Sequence, residues 1–514
     1  MNTKNRKKLF PVISSILITL AIYTGTLLIF LYASGWRVDL TNQSLKKTGI
    51  LTIESTPTSA TIFIDNQEIG RTNKSTALDV GTYDIVVSKD GYFDWHKEVA
   101  IIEERSTPVF PWLIRTELQS EVIFNSTKTL EKYWADETNN HLLLLLKDTL
   151  GYQIVHYDIN TEFWELAANP TVILTLENSD TEIFQDIDLQ LSHTGELAIL
   201  DIVSNLSSSK YILHISKTSD YQTLKQSPLV LDNLIDYEIT WSFDDRYLML
   251  ESVNDVISYD INKNTETLLL QKHNPLDIWT TDEEGFFYIL NLITTDEDDV
   301  TSYSLSQDKL DGSSHKELIP SVYFQNNLDY IQNFRATGFD FGFFTNSPQC
   351  TQTIGEVTTF KVNQKAKGLY IETTQSTYWY DMTTGKYITV SPYPATLIGF
   401  SPDNDNLLFK NSSKYEIFTF DKEEGDHTVS IGTKEIKNIL FDQVKDIDWI
   451  SNSNYISFEE DNFIYIADKD GDNGTPLVSS DGVLYWNITN SRENLVTLTN
   501  DLETGVTITI YTIH

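Results

Sequence analysis

The chain has little of what small secreted domains rely on. Its 514 residues include one cysteine, Cys350, so no intramolecular disulfide can form and stability has to come from a large buried core. Basic residues are scarce: 37 Lys and Arg stand against 74 Asp and Glu, a formal net charge of −37. Phosphate backbones would be repelled, which excludes nucleic acid as a partner; a well-solvated exterior accounts for the excess charge. There is no Gly-x-Ser-x-Gly elbow, His-Glu-x-x-His pair, Walker loop or Rossmann glycine pattern. The nine histidines (His96, His141, His156, His193, His214, His273, His315, His427 and His514) stand singly, as half-buried structural residues do. No catalytic set is legible, and the chain does not read as an enzyme.

One long apolar run is present. Residues 9–33 carry no charge and include fourteen Leu, Ile, Val and Phe residues. At about 1.5 Å per residue such a run spans a hydrocarbon core of about 30 Å, and each of these side chains favours insertion by roughly 0.3–0.6 kcal/mol. Lys4, Arg6, Lys7 and Lys8 precede it, and Tyr32 and Trp36 stand at its far end. The pattern predicts a single transmembrane helix over 9–33 behind a cytoplasmic tail of residues 1–8. Everything beyond a juxtamembrane linker, 34–48, then lies outside the cell membrane. A signal peptide cut near Ala33-Ser34-Gly35 is the alternative, although its apolar core would be shorter.

Residues 49–103 alternate in the period of half-buried strands. Leu51 and Ile53 alternate with Thr52 and Glu54, Pro57 interrupts, and Thr61–Ile64 restarts. Asp65-Asn66 is turn chemistry, Gly70 suits an unusual backbone conformation, and Thr82–Val87 forms another strand before Asp90-Gly91. These strands make a small antiparallel sandwich. The series resembles the PEGA domain family: a strand, Ser55-Thr56-Pro57, a tetrad, a strand, Asp65-Asn66, then Gly81-Thr82-Tyr83 and Gly91-Tyr92. The tetrad here, Pro57-Thr58-Ser59-Ala60, keeps only its first and last residues. The resemblance implies a surface module of a prokaryotic, bacterial-type envelope protein and brings no catalytic residues. A linker over 104–115 contains Phe110, Trp112 and Leu113, apolar side chains expected to dock the sandwich on the region C-terminal to it.

From 116 to 514 one unit recurs at a spacing of about 50 residues, within the range of propeller repeats. Its most regular element is a strand ending in a polar residue: Ile154–Asp158, Tyr211–Ile215, Val256–Asp260, Val300–Ser304, Tyr378–Asp381, Glu416–Asp421, Phe463–Asp468 and Val506–Ile510. Turns such as those within 191–200, 241–250 and 400–409 precede it. This wording resembles TolB-type and tryptophan-aspartate-repeat β-propellers. The fold class is therefore all-β: a PEGA-like sandwich and a seven- or eight-bladed propeller behind one transmembrane helix. The chain stops at the end of a third strand, so the last sheet needs a partner from the start of the region. Residues 117–124 are expected beside 506–511. The long gap between 304 and 378, holding Cys350, reads as an insertion.

One metal candidate appears. Asp468, Asp470 and Asp472 alternate like the start of a calcium loop, but Asn473 stands where that loop needs glycine and Ser479 where it needs a bidentate Glu. A hairpin turn is the competing reading, and no other cofactor is indicated. Taken together, these features predict a membrane-anchored extracytoplasmic binding or scaffolding module. Its propeller face would hold a protein, peptide or glycan ligand. The alternative is an envelope-polymer hydrolase with carboxylates in the propeller channel.

Overall fold

The computed structural model describes residues 17–27, 29–30, 36–39, 44–136, 140–159, 170–229, 237–272, 278–282, 284–295, 300–324, 357–363, 365, 367–383, 386–420, 423–424, 427–428, 432–437, 439, 443–450, 453–489, 494–501 and 505–514. Within the apolar run, 17–27 and 29–30 are helical, and the hydroxyls of Thr24 and Thr26 donate to the carbonyls of Leu20 and Ile22 at 2.8 and 2.9 Å. The rest of 9–33 lies outside the described residues. Among the described residues no helix is long and apolar enough to cross a membrane. The segment 325–356, including Cys350, also lies outside them.

The small domain is two packed sheets. One holds Gln67–Arg71, Thr61–Ile64, Gly81–Ser88 and Trp95–Ile101. The other holds Trp36–Asp39, Ser44–Ile53 and Lys74–Asp79, with Ser106–Val109 lying parallel to Ser44–Ile53. Strands therefore occupy parts of both stretches that read as linkers. The alternating side chains Leu51, Ile53, Ile62, Ile85 and Val87 meet between the sheets and are fully buried.

Beyond it, among the described residues, eight sheets of three or four strands come in chain order, spanning 129–177, 184–214, 238–271, 278–324, 357–391, 396–435, 445–479 and 483–512, with a two-stranded hairpin of Glu423–Glu424 and His427–Thr428 inserted in the sixth. We number them sheets 1 to 8. Each is an antiparallel meander, and each recurrent strand seen in the sequence is the third strand of its sheet. Sheet 2 has three described strands. The second strands are apolar on both faces because each sheet is sandwiched between two others. Leu143 and Leu145 pack toward sheet 2, whereas Leu142, Leu144 and Leu146 pack toward sheet 8. A separate apolar cluster fills each of the eight junctions between successive sheets, including the junction of sheet 8 with sheet 1. The sheets thus form a closed, propeller-like ring.

Closure is made by strand exchange. Gln119–Ser126 completes sheet 8, antiparallel to Gly505–Thr512, with Glu121 opposite Ile510 and Phe124 opposite Ile508. The expected pairing of the two ends of the region is present, and it covers the edge that Gly505–Thr512 would otherwise leave open. First strands touch around the ring axis: Trp241 Nε1 donates to the Gln190 carbonyl at 3.0 Å, Trp449 Nε1 to Gly399 at 3.3 Å, and the Tyr133 hydroxyl to Leu484 at 2.6 Å. The recurring polar turns interlock too. The Asp245 carboxylate accepts from the backbone N–H groups of His193 and Thr194 at 2.8 and 3.0 Å, tying sheet 3 to sheet 2.

Candidate ligand cleft at the domain junction

The small domain is fastened to the ring at two places. The first is the connecting segment. The Tyr455 hydroxyl accepts from the backbone N–H of Trp112 at 2.6 Å and donates to the Phe110 carbonyl at 2.7 Å. The Trp112 ring meets Tyr455 edge-on, with centroids 5.4 Å apart, and its Nε1 donates to Nδ1 of the C-terminal His514 at 3.3 Å. Trp112 and Ile114 enter the apolar cluster between sheets 7 and 8, while Leu113, pointing the other way, enters the core of the small domain. The alternation of an extended backbone lets one short segment serve two cores.

The second fastening is ionic. In the strand Trp95–Ile101, Trp95, Val99 and Ile101 face the small-domain core, and Lys97 is the one polar residue in that row. Trp95 Nε1 donates to Asp468 Oδ1 at 3.2 Å. Lys97 Nζ lies 2.8 Å from Asp468 Oδ2 and 2.8 Å from Asp470 Oδ2. The backbone N–H of His96 donates to Asn473 Oδ1 at 2.8 Å, and Asn473 Nδ2 donates back to Asp468 Oδ2 at 3.1 Å. Burial pushes the Asp468 carboxyl up, against the pull of Lys97 and Trp95. Burial also opposes the charge on Lys97, but two carboxylates outweigh it and hold the ammonium above the usual lysine range. Burial outweighs the ammonium at Asp468, and the two carboxylates outweigh burial at Lys97.

The turn that presents these carboxylates is built by its backbone. Gly471 N–H donates to the Asp468 carbonyl, and Asp468 N–H to the Asp472 carbonyl, at 2.8 and 2.9 Å. Gly471 has φ +86°, and a Cβ there would meet the Lys437 carbonyl at 1.7 Å, so only glycine allows this turn to lie against sheet 6. Of the three candidate metal ligands, the fold brings Asp468 and Asp470 together on the Lys97 ammonium, and Asp472 contributes its carbonyl to the turn. Among the described residues no group of three His, Cys, Asp or Glu side chains could hold a metal ion.

Beside these contacts lies a cleft of about 750 Å³, open between the small domain and sheets 6 and 7. Lys97, Val109 and Phe110 line one side, and Lys434, Lys437 and Lys469 the other. Its size lies within the usual range for small-ligand sites and its place between two domains is typical of them.

Residues 48–113 match the PEGA domain family model. No curated protein matches the chain. Among solved structures the chain is similar to the β-propeller domain of Cps50 (Swd1) from Myceliophteria thermophila. Identity there is 12%, coverage 65% of this chain and 100% of that one, and the TM-score 0.35. It is also similar to the WD40 domain of SCAP from fission yeast, at 11% identity, 77% and 98% coverage and a TM-score of 0.38. A third similar structure is dipeptidyl peptidase 4 from Porphyromonas gingivalis, at 11% identity, 76% and 59% coverage and a TM-score of 0.41. At 11–12% identity and these TM-scores, the activities in these names stay with those proteins.

The PEGA domain contributes Trp95 and Lys97, which sequence reasoning passed over because nothing marks a strand lysine as an interdomain contact. It also passed over a histidine pair: His141 Nδ1 and His156 Nε2 are 2.9 Å apart on neighbouring strands of sheet 1. Only strand register brings them together. Burial, then the neighbouring His141, hold His156 down to about 4.

Proposed function

We propose that the chain is a membrane-anchored, extracytoplasmic binding or scaffolding protein, in which a PEGA domain and an eight-bladed propeller form one rigid body and hold a ligand in the cleft between them. The observation that carries this reading is the double fastening through Tyr455 and through Lys97 with Asp468 and Asp470, which fixes both walls of the cleft. A scaffold needs such fixed geometry, because a preorganised site loses less entropy on binding. The anchor is supported by the helical turns of residues 17–27, which expose Leu17, Ile18, Leu20 and Ile22 while their threonine hydroxyls are turned back onto the backbone.

The test is capture from detergent extracts with the full chain as bait, in parallel with Ala100→Trp, which fills the cleft from an exposed wall position. A protein, peptide or glycan retained by the parent chain and lost with Ala100→Trp is the expected result. Turnover of an isolated envelope polymer, with nothing retained, would reverse the reading in favour of an enzyme.

A further inference from the structure

Among the described residues three cations in the junction cleft have no carboxylate at ion-pair distance, although Glu98 lines the same cleft. Among the described residues Lys434, Lys437 and Lys469 make no ion pair, whereas Lys97 is engaged by Asp468 and Asp470, and Glu435 by Lys414. The chain has two acidic residues for every basic one. Carboxylates are thus in excess, and these three ammonium groups converge on one cleft with none of those carboxylates at ion-pair distance among the described residues.

Lys469 is the most constrained of the three. It is half-buried, and its backbone N–H donates to the Asn454 carbonyl at 2.8 Å. Burial holds its ammonium below the usual lysine range; Asp403, Asp470 and Asp405 pull the other way without reaching ion-pair distance, and Lys97 adds repulsion. A partly desolvated ammonium gains most from an anion that completes its hydrogen bonding. Facing the lysines, Pro108, Val109 and Phe110 make an apolar wall, with Phe110 45% exposed. No arginine lines the cleft. Lysines act as point charges, and a phosphate monoester, with a charge of about −1.5 to −2 and three acceptor oxygens, engages three of them better than a singly charged carboxylate does.

We propose that this cleft binds a phosphate-bearing ligand with an apolar group, the phosphate against Lys434, Lys437 and Lys469 and the apolar part against Val109 and Phe110. The inference rests on the reading of the cleft as the binding site. A free organophosphate and a phospholipid headgroup offer the same chemistry.

The full chain, reconstituted in phosphatidylcholine nanodiscs, is titrated calorimetrically with phenyl phosphate, benzoate and benzyl alcohol. Saturable binding of phenyl phosphate, at least tenfold tighter than that of benzoate and absent for benzyl alcohol, is expected. Lys469→Gln, and separately Lys434→Gln with Lys437→Gln, should each weaken it at least tenfold. Lys410→Gln, an exposed lysine of sheet 6 outside the cleft, should leave it unchanged. Melting temperatures show that the variants are folded. Competition by phosphatidylglycerol added to the discs assigns the phosphate to a lipid headgroup, and its absence to a free organophosphate. No saturable binding, equal affinity in the parent and Lys469→Gln chains, or benzoate binding as tightly as phenyl phosphate overturns the proposal. Should that happen while Ala100→Trp still abolishes capture, the phosphate inference fails alone. Capture indifferent to Ala100→Trp removes the cleft itself.

Discussion

Lys97 of the PEGA domain and Asp468 of sheet 7 are 371 residues apart in the chain, and their side chains meet at 2.8 Å. Asp468 is almost fully buried, and among the described residues Lys97 is the only ammonium on it. Lys97→Met should therefore leave an uncompensated buried carboxylate and destabilise the protein by about 3–5 kcal/mol. Lys97→Met combined with Asp468→Asn should recover part of that loss. Denaturant unfolding of the four chains in this cycle measures the coupling, and a simple sum of the two single losses would contradict it.

The Tyr455 hydroxyl serves two backbone groups at once. Tyr455→Phe leaves the Trp112 N–H and the Phe110 carbonyl without it and should cost about 1–3 kcal/mol. Amide hydrogen exchange should rise across 104–116 before it rises in the ring sheets. Uniform acceleration everywhere would mean that the connecting segment does not open on its own.

Ring closure depends on Gly505. Its φ is +78°, and a Cβ there would lie 2.3 Å from the Ser126 carbonyl at the end of the closing strand. Gly505→Val should strain this junction by roughly 1–3 kcal/mol and free the edge of the last sheet. Light scattering after mild heating should show earlier aggregation than for Gly482→Val, where a Cβ meets nothing within 4 Å although φ is likewise positive. Equal behaviour of the two variants would argue against closure as the weak point.

The histidine pair makes stability depend on pH. Unfolded, His156 takes up a proton near 6.5; folded, it does so only near 4. Its contribution is therefore complete above about pH 6.5 and is lost as pH falls toward 4. Linkage gives at most about 3 kcal/mol, and partial solvation brings this to about 2 kcal/mol. The drop in urea midpoint between pH 7 and pH 4.5 should be smaller for His156→Asn than for the parent chain. An identical drop would rule out this histidine as its source.

Much of the fold is legible in single strands. Residues 142–146 are five consecutive leucines, a run that suits a strand covered on both faces, and the repeated third strands mark one sheet each. The closing pair is legible in the repeat, since the strand at 506–510 takes the place of a third strand and its outer edge demands a partner. The ligand cleft was not legible. Its walls come from strands near residues 97, 109, 434 and 469, and the relation among them is set by docking rather than by local pattern.

Local chemistry by itself determined the strands, their apolar faces and the polar turns between them, because alternation and turn propensity act over a few residues. Only the tertiary structure decided what the acidic turn at 468–472 faces. Its spacing suggested a cation, and in the folded chain the ammonium of Lys97 stands between Asp468 and Asp470. Spacing along a chain fixes the charge a turn presents, whereas the counter-charge depends on which distant surface is packed against it.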